Sequence, residues 1–244
     1  MANLRFFTDH ALTLGALVTL SESATAHATR ALRLNVGDLV IIFNGDGFDY
    51  ECTLVSVNKN TAVAKVIAQR KIENESALRI MLLQGISSGD RMDFTIQKAV
   101  ELGVTHIQPI ATERSVVKLS ADRAQKRVAH WQNIVASACE QSGRAVVPQV
   151  HTPMTLPQWL GAHPQSNQTR ILLNPTGATP LKSIPKPLQE IQLLIGAEGG
   201  LSQHEIDTAL AQGFQSIVLG PRILRTETAA LTAIASMQTL WGDF

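Results

Sequence analysis

The amino-acid sequence predicts an α/β protein made of two domains, a small β-barrel followed by a larger domain with a mainly parallel sheet. Residues 36–69 are short strand-like segments joined by turn sequences, and they are too few for a β-sandwich. From residue 78 onward, strand-like segments alternate with helical ones, which is the order typical of a parallel α/β sheet. The polar stretch 70–76 separates the two patterns, so we predict domains at 1–73 and 74–244.

Each strand of the predicted barrel is bounded by residues that favour turns. The apolar run Leu39–Phe43 precedes Asn44-Gly-Asp-Gly47, whose glycines can adopt the positive φ that tight turns need. Asn58-Lys-Asn60 separates the strand formers of Glu51–Val57 from those of Thr61–Ala68. Together these segments predict a meander of short strands.

The second domain is predicted from helical periodicity as well as from apolar strands. Asp90–Leu102 places apolar side chains on one helical face and ends at Gly103, so it predicts an amphipathic helix. Ala121–Ser142 predicts a longer helix that ends before Gly143. Ser202-Gln-His-Glu205 has the spacing of a capping box and predicts the start of another helix. The strands are predicted at 78–84, 106–110, 171–173, 191–195 and 216–219.

Composition limits the classes of protein to which the chain can belong. The 244 residues are 45% hydrophobic with a net charge of +1, which predicts a folded protein without a charge bias toward any partner. Cys52 and Cys139 stand alone and no HExxH pair occurs, so we expect neither disulfides nor a metal site. The apolar run 11–20 follows Asp9 and His10 instead of lysines, which argues against a signal peptide. No run reaches a membrane span of about 18 residues. We therefore expect a cytoplasmic protein without membrane contacts.

The predicted last helix differs from the others because it carries no charge. Between Thr228 and Gly242 no residue is charged, and apolar residues cover more than one side of the helix. A helix with this pattern is buried on more than one face. We expect it to pack on the sheet and against a second subunit, making the protein a homodimer. A helix enclosed within one subunit is the alternative.

Two loops have the composition of a ligand site. Ile195–Ser202 contains three glycines, and Leu219–Ala229 contains two arginines, a glutamate and two threonines. Each loop follows a predicted strand and precedes a predicted helix, where open α/β sheets bind their ligands. The glycines match neither GxGxxG nor GxxxxGK[ST], so hydride transfer and P-loop phosphoryl transfer are not supported. Either loop alone would be a turn and a helix start, but two such loops predict a binding site.

The same loops carry a family resemblance. Gly196–Ser202 and Leu219–Ala229 closely resemble the two signature loops of the RsmE-type 16S ribosomal RNA uridine-N3 methyltransferases, members of the SPOUT superfamily. Two positions depart from that family's pattern, with Ala197 where proline is usual and Asn174 where histidine is frequent. The resemblance covers essentially the whole chain. It includes Arg5–Phe7, His27, Arg30–Arg33, Gly37-Asp38, Phe94–Lys98, Glu101–Gly103 and Glu140–Arg144.

The resemblance implies a fold, a cofactor and a reaction. The second domain would be a SPOUT methyltransferase domain with a trefoil knot that binds S-adenosylmethionine, and the first a PUA-like RNA-binding barrel. The molecule would be a homodimer that methylates N3 of a uridine in 16S ribosomal RNA of the small ribosomal subunit. The cofactor contacts implied are Leu173, Asn174, Gly196, Glu198, Gly199, Gly200, Leu219, Gly220, Pro221, Ile223, Leu224, Thr228 and Ala229.

Methylation at N3 requires the imide proton of uridine to leave before or during attack. Arg225 is predicted to stabilise the developing anion, because a guanidinium stays charged and can donate to a carbonyl oxygen. Glu198 or Glu227 is predicted to accept the proton. In the alternative for Glu227, its carboxylate serves only the helix dipole and pairs with Arg225.

RNA must bind to local groups of positive charge, because neither domain is basic overall. One such group surrounds Arg114, with Lys118, Arg123, Lys126 and Arg127 close in sequence, although a solvated helix face has the same pattern. The residues that we expect to bind RNA are Arg5, Arg30, Arg33, Arg91, Lys98, Arg114 and Arg144.

Two other functions stay open on sequence alone. One is another SPOUT reaction, such as ribose 2′-O methylation of transfer RNA. The other is a non-catalytic RNA-binding factor in ribosome assembly, which Ala197 would favour and the intact Arg225–Thr228 would not.

Overall fold

The computed structural model describes residues 4–115, 121–165, 167–176 and 179–244, and the chain divides into two compact units. The first unit contains the residues up to Glu75 together with Ala136–Val147, and the second contains Ser76–Val135 and Pro148–Phe244. The division after Glu75 falls close to the predicted boundary. Each predicted domain was continuous in sequence, so the segment Ala136–Val147 was assigned to the predicted second domain and not to the first.

The first unit is built on a five-stranded sheet. Its strands are β1 Arg5–Phe7, β2 Leu17–Thr19, β3 Leu39–Phe43, β4 Phe48–Asn58 and β5 Thr61–Lys71, with one helix, α1 Glu22–Ala26, that continues into a π-helical turn at His27–Ala31. The order in the sheet is β1-β3-β4-β5-β2, and only β1 and β3 are parallel neighbours. Alternate residues of β4 and β5 enter one core, in which Cys52, Leu54, Ala62 and Ala64 are fully buried.

The segment 136–147 belongs to the first unit through buried ion pairs. Arg5 is paired with Asp49, and its Nη2 donates to the carbonyl oxygen of Arg144 at 3.0 Å. The guanidinium of Arg144 donates to both carboxylate oxygens of Glu75, at 2.9 Å and 2.6 Å. Both arginines are almost completely buried. Removing one partner of such a pair leaves a buried charge unpaired, so these pairs hold the segment firmly.

The second unit is an α/β fold around an eight-stranded parallel sheet. The strands are β6 Ile80–Gly85, β7 His106–Ala111, β8 Gln149–Val150, β9 Met154–Thr155, β10 Thr169–Leu173, β11 Thr179–Pro180, β12 Ile191–Ile195 and β13 Gln215–Val218. The helices are α2 Gly89–Glu101, α3 Ala121–Ser142, α4 Leu156–Ala162, α5 Gln203–Ala211 and α6 Thr226–Trp241. The order is β11-β13-β10-β12-β6-β7-β8, with β9 also paired to β7. All these neighbours are parallel, which confirms the predicted class.

The predicted elements of this unit lie close to the observed ones. The five predicted strands and the helices α2, α3, α5 and α6 are present, with bounds that differ from the predicted ones by at most two residues. The pattern missed α4 and the two-residue strands β8, β9 and β11, which are too short to produce a period. Within the described ranges, no helix has both the length and the apolar content of a membrane span.

The order of the strands brings several loops to one edge of the sheet. The strands β13, β10, β12 and β6 are consecutive neighbours and run in the same direction, so their carboxyl ends are side by side. Every residue of β12 is buried, because helices cover both faces of a parallel sheet. The chain leaves β12 and β13 in the two loops that the sequence singled out, and the end of β10 lies between them.

A cluster of histidines lies near the amino ends of β6 and β7. Nε2 of His151 and Nδ1 of His106 are 3.2 Å apart and the two rings stack. Burial, followed by the charge of Arg79, lowers the pKa of His106. Burial also lowers the pKa of His151, helped by His106 and His163, while Glu190 acts in the opposite direction. Both rings therefore favour the neutral form in the folded protein.

Acid should destabilise the second unit through this pair. As the pH falls through the ordinary histidine pKa of about 6.5, these two side chains gain protons in the unfolded chain before they do in the folded protein. The free energy of unfolding therefore falls from pH 7.5 toward pH 5.5. We expect the fall to be smaller in His106→Asn. Urea unfolding monitored by tryptophan fluorescence measures it, because all three tryptophans lie in this unit. His10→Asn, at a side chain that is 76% exposed, is the control. Parallel profiles for His106→Asn and the wild type would contradict this expectation.

Candidate functional site

The candidate site is a cavity of about 590 Å³ at the carboxyl edge of the parallel sheet. Its walls are formed by Leu173–Thr176 after β10, Ile195–Leu201 after β12, and most of Val218–Glu227 after β13. Arg91 of α2 and Arg114 after β7 complete it on one side. Concave sites at this edge are where open α/β sheets bind ligands.

The structure brings most of the predicted site residues to this cavity. Two do not line it: Pro221 and Thr228 are exposed. The predicted residues that line it are Leu173, Asn174, Gly196, Glu198, Gly199, Gly200, Leu219, Gly220, Ile223, Leu224, Arg225, Glu227 and Ala229. Other lining residues were not predicted, among them Thr176, Gln203 and Ile206, while Arg222 and Thr226 line the cavity from within the predicted loop Leu219–Ala229.

The glycines of the loop after β12 allow backbone segments to approach closely. A methyl group on Gly196 would lie 2.7 Å from the carbonyl carbon of Gly200, and one on Gly199 would lie 3.0 Å from the carbonyl oxygen of Arg114. Gly200 has a φ of +69°, a conformation that side chains disfavour. Ala197, at the position where the resembled family usually has proline, is buried and accepts a hydrogen bond from the N–H of Gly200 at 2.9 Å. The loop is therefore a tight turn in which close contacts exclude a side chain at Gly196 and crowd one at Gly199, while the backbone conformation disfavours one at Gly200.

Glu198 is tied to the start of α2. Its Oε1 accepts hydrogen bonds from the N–H and the hydroxyl of Ser88, each at 2.8 Å, and from Nη1 of Arg91 at 3.4 Å. Burial alone would raise the pKa of Glu198, but these hydrogen bonds, one from its own backbone and the charge of Arg91 lower it below its usual value. The other oxygen, Oε2, is buried without a hydrogen-bond partner among the described residues. Glu198 is thus a fixed carboxylate that holds the glycine loop in place.

Arg225 and Glu227 lie at the first turn of α6, and both line the cavity. Arg225 is exposed, and its side chain forms no hydrogen bond or ion pair with any described residue. Glu227 is half-buried, and its Oε2 has no partner within the described part of the chain. The predicted alternative in which the two pair with each other is not present in this structure. The Arg225 side chain is therefore open to a ligand, whereas the unpartnered oxygen of Glu227 is buried at the wall of the cavity.

The residues predicted to bind RNA lie in three different settings. Arg91 and Arg114 line the cavity, where Arg114 also donates to the carbonyl oxygen of Gly199 at 3.3 Å. Arg30 and Arg33 are exposed in the first unit, and Arg33 has a φ of +54°, rare for a residue other than glycine. Strained backbone of this kind is concentrated at functional positions.

The remaining basic residues of that prediction are engaged elsewhere. Arg5 and Arg144 are buried in the ion pairs described above, so their guanidinium groups are turned toward the carboxylates of their own unit and not toward a phosphate. Lys98 is partly exposed and pairs with Glu101 at 2.7 Å. Lys118 lies outside the described residues. Sequence could not show the burial of Arg5 and Arg144, because their partners are distant in the chain.

A strand-to-helix turn near the cavity has the pattern GxSxG, at Gly85–Gly89. In hydrolases this pattern exposes a nucleophilic serine to a histidine. Here Ser87 is buried, its hydroxyl donates to the carbonyl oxygen of Gly85 at 3.3 Å, and no histidine among the described residues bonds to it. The turn therefore does not support a serine hydrolase.

Comparison with known families identifies the class of protein. A family model described as an RNA methyltransferase domain matches residues 74–238, and one described as an RNA methyltransferase PUA domain matches residues 20–67. The matches correspond to the parallel α/β unit with its glycine-lined cavity and to the small β unit. The protein is an RNA methyltransferase with a PUA domain.

Relatives and solved structures narrow the class. The chain is 36% identical to ribosomal RNA small subunit methyltransferase E of Buchnera aphidicola subsp. Schizaphis graminum, over 98% of this chain and 97% of that protein. It is 32% identical to the protein of that name from Bacillus subtilis, over 89% of each. Ribosomal RNA small subunit methyltransferase E from Neisseria gonorrhoeae, bound to S-adenosyl methionine, matches with a TM-score of 0.91 and 43% identity over 99% of both chains. A putative methyltransferase from Legionella pneumophila, with bound SAM, has a TM-score of 0.94 and 35% identity over 100% of both. The chain belongs to the ribosomal RNA small subunit methyltransferase E family.

Proposed function

We propose that this protein transfers a methyl group from S-adenosylmethionine to N3 of a uridine in 16S ribosomal RNA of the small ribosomal subunit, in the cytoplasm. The observation that carries the proposal is the glycine-lined cavity at the carboxyl edge of the sheet, in a chain of this family. Arg225 and Glu227, which both line that cavity, supply the charge and the proton acceptor that the reaction needs.

The residues of the cavity fit S-adenosylmethionine. Leu173, Leu219 and Leu224 offer apolar surface for an adenine ring, and Ile223, which is 84% exposed, offers more. The loop Gly196–Gly200 presents its backbone to the cavity, and a side chain at Gly196 would collide with neighbouring backbone atoms while one at Gly199 would be crowded by them. Carboxylate oxygens without partners suit the positive charges of this cofactor. These residues would hold the group, which supplies a methyl bonded to a positively charged sulfur.

The chain's own residues would position the uridine and move its proton. Arg225 donates hydrogen bonds to a carbonyl oxygen of the base and stabilises the negative charge that develops as the N3–H bond breaks. Glu227 accepts that proton on its carboxylate. We prefer Glu227 to Glu198 because the hydrogen bonds of Ser88 and Arg91 already occupy Glu198 and lower its pKa, which weakens it as a base. Glu198 then acts by keeping the glycine loop on α2.

The experiment that tests the reaction is transfer of labelled methyl from S-adenosylmethionine to small ribosomal subunits from cells that lack this activity. Digestion of the RNA and mass spectrometry identify the product, and we expect 3-methyluridine at a single position. A ribose-methylated nucleoside, or labelling of transfer RNA in its place, would refute the uridine-N3 proposal and favour the other SPOUT reaction. Cofactor binding without transfer to any RNA would favour an assembly factor.

We also propose that the second unit is knotted and that the first closes into a PUA-like barrel. β10 and β12 separate β13 from β6 in the sheet. After β13 the chain nevertheless continues into α6, which packs on α2 and whose first residue, Thr226, bonds to Gln84 of β6. The segment after β13 therefore crosses back over β10 and β12, as a knotted path requires. The twisted five-stranded order of the first unit supports a small barrel.

We propose a homodimer formed through α6. Its exposed face carries Thr232, Thr239 and Leu240 and no charged residue, which is unusual for a surface helix. Leu240→Glu should convert the dimer to a monomer in light scattering, because the charge would be buried at the interface. Leu210→Glu is the matched control, since Leu210 on α5 is 42% exposed and Leu240 is 46% exposed. A wild-type protein that is monomeric at micromolar concentration would contradict the proposal and favour the enclosed helix.

We propose that Arg30 and Arg33 of the first unit contact RNA phosphates. Arg30→Ala/Arg33→Ala should weaken binding of small-subunit RNA roughly tenfold at 100 mM salt and reduce the salt dependence by about two charges. Arg70→Ala at another exposed arginine of this unit is the control. Filter binding over a salt series measures both quantities. An unchanged salt slope would mean that these side chains do not meet phosphates.

A further inference from the structure

A buried hydrogen-bond network joins three chain segments beneath the cavity. Gln84, the next-to-last residue of β6, donates from Nε2 to Oγ1 of Thr226 at 2.9 Å and to the carbonyl oxygen of Gly85 at 3.1 Å. The hydroxyl of Thr226 donates to the carbonyl oxygen of Gly196 at 2.6 Å. Gln84 is fully buried and Thr226 is almost so.

The chemistry of the partners fixes the direction of every proton in this network. The carbonyl oxygen of Gly196 can only accept, so the single hydroxyl proton of Thr226 must be directed to it. Thr226 then has only lone pairs left for Gln84, which must donate through its amide nitrogen. The carbonyl oxygen of Gly85 requires the same orientation of that amide. This orientation leaves Oε1 of Gln84 buried without a partner among the described residues, whereas the flipped amide would set that oxygen against the carbonyl oxygen of Gly85.

Thr226 lies between the two residues that we assign to the chemistry. It is the first residue of α6, preceded by Arg225 and followed by Glu227, and it bonds to the first glycine of the loop after β12. Gln84 does not line the cavity, while Thr226 does. The network therefore sets the distance between the glycine loop and the start of α6, the two walls of the site.

We propose that Gln84 and Thr226 are positioning residues for the cofactor, which hold the two walls at the separation that S-adenosylmethionine requires. This inference rests on the proposed cofactor site but not on the identity of the methylated base. Without the hydroxyl of Thr226, the carbonyl oxygen of Gly196 keeps only the 3.5 Å contact with Nε2 of Gln84, and that amide loses its shorter bond. The walls then move apart to hydrate these groups. The cofactor then loses contacts on both sides.

The first test compares Thr226→Val with Thr226→Ser. Valine keeps the shape and removes the hydroxyl, whereas serine keeps the hydroxyl and removes a methyl. Calorimetry with S-adenosylmethionine should show a Kd raised at least tenfold for Thr226→Val and within about threefold of wild type for Thr226→Ser. Affinity for small subunits without cofactor should stay within about twofold. Thr208→Val, which removes an exposed hydroxyl bonded within α5, is the matched control.

The second test uses the proton itself. In Gln84→Glu the new carboxyl is buried, which raises its pKa, and only its protonated form can donate to Thr226. Cofactor affinity of Gln84→Glu should therefore be near that of wild type at pH 6 and fall as the pH rises to 8.5, more steeply than for wild type. Gln84→Met, which cannot donate at any pH, should bind weakly throughout, with the pH dependence of wild type.

Three outcomes would overturn the proposal. The first is binding of the cofactor by Thr226→Val as tight as that of wild type. The second is a loss of affinity in Thr226→Ser as large as in Thr226→Val, and the third is a pH profile of Gln84→Glu equal to that of Gln84→Met. Failure of the uridine-N3 proposal would instead appear as wild-type protein that binds S-adenosylmethionine and methylates no uridine. The binding readout separates the two failures.

Discussion

Replacing Arg225 by alanine is expected to lower the rate of methyl transfer by about 100-fold to 1000-fold while cofactor affinity stays within a few fold of wild type. The guanidinium is exposed at the cavity and has no partner among the described residues, so no fold-stabilising contact is lost. It acts only when negative charge develops on the base, and removing one donor to such a charge typically has an effect of this size. Single-turnover transfer to saturating small subunits measures the rate.

Two variants make this prediction specific. Arg225→Lys keeps the charge but not the planar pair of donors, and it should restore only part of the rate. Arg222→Ala removes another positive charge from the same cavity, so it controls for the overall electrostatic potential of the cavity. We expect it to lower the rate of methyl transfer by less than about tenfold. A rate for Arg225→Ala within tenfold of wild type at saturating RNA, with a raised KM for RNA, would make Arg225 a binding residue and not a catalytic one.

The substitution Gly85→Ala is expected to lower cofactor affinity more than a hundredfold. A methyl group on Gly85 would lie 2.2 Å from the backbone nitrogen of Ala197 and 2.6 Å from the carbonyl carbon of Gly196. Both atoms belong to the backbone of the glycine loop, so no side-chain rotation relieves the contact. The loop must move away from β6 or the strand must shift, at a cost of about 1–3 kcal/mol or more in the free energy of unfolding.

Gly161→Ala is the matched control for this glycine. Gly161 lies in α4 with no atom within 4 Å of the added methyl group, so alanine should keep cofactor affinity unchanged and stabilise the helix slightly. Calorimetry gives the affinity, and urea unfolding gives the free energy. If Gly85→Ala binds S-adenosylmethionine as wild type does, the close approach of β6 and the glycine loop has no role in the site.

The sequence was sufficient for those features that short stretches determine. Apolar runs located the strands of the parallel sheet, and the glycines after Ile195 located the cavity, because strand burial and backbone approach are local requirements. The predicted residues after Leu219 also line the cavity, apart from Pro221 in the loop and Thr228 in α6, which are exposed.

Such local patterns could not predict hydrogen bonds and ion pairs between residues that are far apart in the sequence. Gln84 and Thr226 are 142 residues apart, and a single glutamine at a strand end is not distinguishable from any other polar terminus. Arg5 and Arg144 were predicted to bind RNA because they are positively charged, yet both are buried in ion pairs with carboxylates that are distant in sequence. The helix α3 has one continuous period, so nothing in it indicated that its last residues belong to a different unit from its first.

That divided helix has a consequence during synthesis. The first unit needs Arg144, whose carbonyl oxygen and side chain bond to Arg5 and Glu75, so it cannot be complete until that residue has left the ribosome. By then β6, α2 and β7 of the second unit have also been made. The first unit therefore cannot finish folding before synthesis of the second unit has begun, although domains generally fold in the order of their synthesis. A fragment cut after Glu75 would lack part of its own interior.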